Sequence, residues 1–69
     1  MRKLVKVEPK ALEKARLNKG WSIRTLEKKS EVSRSTIIRL EKGIGLAEKY
    51  TLSKLANALN CNVEELKGE

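Results

Sequence analysis

The sequence contains no histidine and a single cysteine, Cys61. Without histidine the chain lacks the commonest general base and the commonest zinc ligand, and no Cys-His cluster, glycine-rich phosphate loop or nucleophile constellation can be assembled from what remains. Neither catalysis nor a metal or cofactor is therefore expected. A lone cysteine forms no intrachain disulfide, which fits a reducing cytoplasm. Cys61 itself reads as a small buried apolar residue rather than a reactive thiol. Aromatic residues are almost as scarce, Trp21 and Tyr50 only. The interior must then be built from Leu, Ile, Val and Ala, and little is available to stack on unpaired bases as RNA-binding modules do. Long apolar runs are missing too. None exceeds two or three residues, far below the ~18 that span a bilayer, and the basic start from Met1 to Val7 lacks the apolar stretch of a signal peptide.

What the sequence has in excess is positive charge, a net +7 over 69 residues. The distribution is uneven. Up to Lys54 there are 15 Lys and Arg against 6 Asp and Glu, whereas the remainder carries one Lys against three Glu. A basic front of this strength attracts polyanions through counterion release, which points to nucleic acid. The length predicts one domain over residues 1–69, with residues 1–7 as an N-terminal extension that holds a possible short strand without an obvious partner.

The elements are legible from a recurring pair of apolar residues that bracket a helix cap, the hydrophobic staple. Val7 and Leu12 bracket Glu8-Pro9 and start a first helix that ends by Gly20, with proline where its missing N–H is harmless. Trp21 and Leu26 flank cap residue Ser22, and Val32 and Ile37 flank cap residue Ser33. Two short helices thus follow one another with only about residues 30–32 between them, a helix-turn-helix over about Ile23 to Glu41. Leu52, Leu55, Ala56 and Leu59 mark one face of a fourth helix, beginning either at Thr51 or near Glu48. Cys61 and Leu66 flank Asn62, and Glu65 completes an Asn-x-x-Glu box that starts a fifth. The expectation is an all-α, five-helix fold.

In the third helix Ile37 and Leu40 define the buried side, so the outward face carries Ser35, Ile38, Arg39 and Lys42, with Arg34 on its edge. Such a face suits a helix that enters the major groove of double-stranded DNA end first. Arg34 matches guanine, Ser35 matches either base edge, Ile38 matches a thymine methyl, and Arg39 reaches bases as well. Phosphate contact falls to Lys42, to the hydroxyls of Ser33 and Thr36, and to the start of helix 2, where the backbone N–H groups of Ser22 and Ile23 stand beside Arg24.

The order and spacing of Leu12 and Arg16, Gly20-Trp21-Ser22, Leu26, Val32-Ser33, Ser35-Thr36-Ile37, Leu40-Glu41-Lys42-Gly43, Leu52 through Leu59 and Leu66 resemble the phage repressor and Cro class of helix-turn-helix regulators. The resemblance runs from about Val7 to Leu66. It implies a five-helix, lambda-repressor-like domain, a homodimer on a palindromic site, helix 3 as reader, and an ion pair between Arg16 and Glu41. The sequence departs from that pattern at Glu27, where the class prefers alanine, at Glu31, where it prefers glycine, and at Ile23, where it prefers glutamine. The Glu27 carboxylate must turn away or find a cation, and Glu31 must adopt a left-handed backbone at ~1 kcal/mol.

The function expected is a sequence-specific, cytoplasmic transcriptional regulator, a repressor binding as a homodimer. Two alternatives share its fold: an antitoxin that autoregulates its operon while another surface neutralises a toxin protein, and a protein-interaction adaptor. Leu17, Ile44 and Leu46 either pack under local chain or belong to a dimer or partner surface.

Overall fold

The computed structural model describes residues 3–68; Met1, Arg2 and Glu69, the ends of the expected domain, lie outside the described residues. Five helices follow in order: α1 (Pro9–Asn18), α2 (Ile23–Ser30), α3 (Arg34–Glu41), α4 (Lys49–Leu59) and α5 (Val63–Leu66). Leu12, Leu26, Ile37, Leu40, Leu52, Leu55 and Leu66 form a fully buried interior to which each helix contributes. The inner member of every staple that opens α1, α2, α3 and α5 is in this set, so the residues that fix where those helices begin also fill the core. Truncating any of these leucines or Ile37 to alanine should cost about 2–5 kcal/mol.

Helix ends are set by backbone conformation. α1, α3 and α4 each terminate in a left-handed residue, Gly20, Gly43 and Asn60. In each case the next residue's N–H returns to a carbonyl five positions back, as in Trp21 to Arg16 at 3.2 Å, Ile44 to Arg39 at 3.0 Å and Cys61 to Ala56 at 3.0 Å. At Gly43 space adds a second constraint, because a Cβ would lie 3.1 Å from Cγ of Pro9.

The possible strand near the N-terminus does find a partner. β1 (Leu4–Val5) pairs antiparallel with β2 (Ala47–Glu48), Leu4 opposite Glu48 and Val5 opposite Ala47. The next stretch joins the C-terminal segment, with Glu8 N–H donating to Leu66 O and Gly68 N–H to Lys6 O, both at 2.8 Å. Residues 4–8 are thereby stitched between the loop before α4 and the end of α5, and Val7 and Ala47 are buried. β2 also resolves where α4 begins. Its N-cap is Glu48, and Tyr50, the outer half of the alternative staple, is 71% exposed. No helix among the described residues is long and apolar enough to cross a membrane.

Candidate nucleic-acid interface

The starts of α2 and α3 are built alike. Ser22 Oγ accepts from Thr25 N–H at 3.1 Å and shares a second hydrogen bond with the Thr25 hydroxyl at 3.1 Å. Ser33 Oγ accepts from Thr36 N–H at 3.4 Å and donates to the Thr36 hydroxyl at 2.8 Å. Each serine caps its helix, and each threonine three residues later braces the cap. The N–H groups of Ile23 and Arg24 open α2 with no carbonyl of their own helix in front of them, and Ser22 and Arg24 are exposed. The Ile23 side chain does something else: it is half-buried and packs against the core. Only its backbone remains to meet a phosphate.

On α3 the structure brings Arg34 and Ser35, both exposed, to the first turn, with Ser33 just before them and half-buried Ile38 one turn on. Thr36 is half-buried, and its hydroxyl faces Ser33. Lys42, also exposed, caps the far end.

Arg39 is placed differently from the rest of the predicted face. Its Nη1 donates to Ile44 O at 2.8 Å and Leu46 O at 3.1 Å, folding the guanidinium over the loop after α3. Gly45, left-handed at φ +76°, makes room for it, since a Cβ there would stand 2.7 Å from that nitrogen. Sequence reasoning missed this contact because a surface arginine carries no signal that distinguishes a groove from a neighbouring loop carbonyl.

The turn between α2 and α3 accommodates both unusual glutamates. Glu31 is left-handed, φ 61° and ψ 28°, with its N–H on Glu27 O and its carbonyl accepting from Lys54 Nζ at 3.0 Å. Beside it, buried Ser30 donates its hydroxyl to Leu26 O at 2.7 Å and accepts from Val32 N–H at 3.2 Å, so the turn leaves no buried side-chain polar atom unpaired among the described residues. The left-handed conformation is strained for any residue with a Cβ. Glu31→Gly is therefore expected to raise the unfolding free energy by about 1 kcal/mol, read as a higher urea midpoint at unchanged slope. Glu27 neither turns away nor finds a cation. Its Oε2 accepts from the N–H of Arg34, the first residue of α3, at 3.0 Å.

Behind the two helices sits an ion pair that fixes α3 against α1. Arg16 Nε donates to Glu41 Oε2 at 2.8 Å and Nη2 to Glu41 Oε1 at 2.9 Å, while Nη1 donates to Trp21 O at 2.9 Å. The side chains retain only 10% and 8% exposure. The hydrogen bonds to Glu41 raise the Arg16 pKa above the ordinary arginine value, against the opposing effect of desolvation.

Two short capped helices at a tight turn, with exposed polar and basic side chains at the start of the second, define a helix-turn-helix DNA-binding domain. The helix-turn-helix family model matches residues 12–66, and the chain belongs to that family of DNA-binding transcriptional regulators. It is similar in structure to the restriction-modification controller protein C.AhdI from Aeromonas hydrophila, with a TM-score of 0.78 and 32% identity over 83% of this chain and 86% of that one. No curated protein matches the sequence.

Proposed function

We propose that the chain is a sequence-specific repressor that acts as a homodimer, each copy laying α3 in the major groove of one half-site. The observation that carries this reading is the shape of the front of α3, where exposed Arg34 and Ser35 project from a capped helix end on a strongly basic molecule. Arg34, Ser35 and Ile38 read bases. Arg24, Lys42 and the Ser22-Ile23 backbone meet phosphates, while the hydroxyls of Ser33 and Thr36 are engaged with each other at the cap of α3. Arg39 presets the following loop through Ile44 and Leu46 and reaches a base only by releasing it. The likeness to a restriction-modification controller protein supports a regulatory role.

Selection from random duplexes tests this directly. It is expected to enrich a palindrome with half-sites about one helical turn apart, ~34 Å. Enrichment of no duplex at low salt would replace the repressor reading with that of an adaptor. A second reading, the autoregulating antitoxin, is favoured by one observation: Ile44 and Leu46, together with Leu17, are exposed rather than packed under local chain. Co-purification with a toxin protein would select it.

A further inference from the structure

The glutamate at position 27 is the odd residue of the interface, an acid at the front of a basic surface. Its carboxylate is half-exposed and lies across the turn on the first N–H of α3. Among the described residues no Lys or Arg side chain forms an ion pair with it, and its direct partner is that amide, at the positive end of the helix. The N-terminus of a helix is otherwise a ready binding place for phosphate. In α2 that place is open, capped by a neutral serine with Arg24 alongside; in α3 it is occupied from within. The two capped starts therefore differ in what they admit. The first amides of α2 face no carboxylate, whereas the first amide of α3 is taken by one, with Arg34 and Ser35 exposed beside it.

We propose that Glu27 is a specificity-determining residue: its carboxylate closes the start of α3 to DNA phosphates, so that the reading helix is admitted between the phosphate rows and not onto them. The inference rests on the DNA-binding reading above. Its physical core is a difference in distance. With α3 seated in a major groove ~12 Å wide, its tip stands away from both rows of phosphates. In a non-specific complex, where the tip is pressed against the backbone, the carboxylate meets a phosphate directly. Repulsion falls with distance and is further screened beyond ~8–10 Å, so it penalises the non-specific mode more.

Glu27→Gln separates charge from geometry, because the amide oxygen still accepts from Arg34 N–H. Binding of this variant and of the parent protein is to be measured against the selected operator duplex and a scrambled duplex of equal length, over a range of salt. For the scrambled duplex, affinity is expected to rise about three- to tenfold, and the salt slope to steepen by up to ~0.9, the signature of one more phosphate contact. For the operator, affinity is expected to rise less than about twofold, since its phosphates are already distant. Glu27→Ala should reproduce the loss of discrimination and in addition lower thermal stability, because a cap is lost. Unchanged discrimination and slope in a folded Glu27→Gln protein would overturn the role of Glu27 while leaving the DNA-binding reading intact. Failure of the parent protein to prefer any duplex would overturn both.

Discussion

Glu41→Ala is expected to remove a large part of the protein's folding stability at room temperature. A chain of this length has a total stability of about 3–10 kcal/mol, and removing one partner of a buried ion pair costs about 3–5 kcal/mol because the other is left charged and unpaired. Among the described residues no second carboxylate is hydrogen-bonded to Arg16, its remaining hydrogen bond goes to Trp21 O, and Glu13 acts on it only through its charge. The loss should appear as a fall in the urea midpoint or the absence of a cooperative transition in circular dichroism. Replacing both partners with apolar residues, Arg16→Met with Glu41→Leu, should recover much of the stability. It falls short by about 1 kcal/mol for the Trp21 carbonyl that loses its donor. If Glu41→Ala changed stability by less than about 1 kcal/mol, the pair would have to be worth no more than an exposed one. The raised pKa of Arg16 gives this linkage a definite sign. Its contribution is fully present below the ordinary arginine value and is lost only as pH rises through the higher folded value, so titrating Arg16 leaves stability near neutral pH untouched.

The legible part of this molecule was whatever depends on short spacing. Staples such as Val32 with Ile37 placed α2, α3 and α5 because a cap, its threonine or glutamate and its apolar pair all lie within six residues of one another. What escaped was long-range in sequence. The possible strand near Leu4 was visible but its partner was not: it meets Ala47 and Glu48 across more than forty residues, and a two-residue strand leaves no alternation by which to recognise that second half. The start of α4 was ambiguous for the same reason, since the choice between Thr51 and Glu48 is made by a sheet partner at the other end of the chain. At the interface, the exposure of Arg34, Ser35 and Lys42 follows from helical period alone. The engagement of Glu27 with Arg34 and of Arg39 with Ile44 and Leu46 does not, because it depends on how α2 and the loop cross α3. Glu31 lies between these cases: its position after α2 predicts a left-handed residue, and it adopts one although it is not glycine.

Arg34→Ala and Lys42→Ala are expected to separate reading from holding, both on the proposed mode of binding. Along α3, Lys42 stands eight residues behind Arg34, or ~12 Å at 1.5 Å per residue. The major groove is ~8.5 Å deep, so a helix entering end first with Arg34 at the base edges leaves Lys42 at or beyond the rim, among phosphates. Loss of Arg34 should then cost about 1–3 kcal/mol on the selected operator, about 5- to 150-fold in affinity, and relax the base preference at one position of each half-site. Loss of Lys42 should weaken operator and scrambled duplexes alike and reduce the salt slope by ~0.9 in magnitude per binding site. Both side chains are exposed, so neither truncation should alter stability by more than about 0.5 kcal/mol, and a binding change can be assigned to the interface. The reverse pattern, base preference lost with Lys42 and retained without Arg34, would mean that α3 enters by its C-terminal end. Equal, non-selective losses from both variants would mean that α3 lies on the backbone rather than in the groove, and sequence would then have to be read by another element.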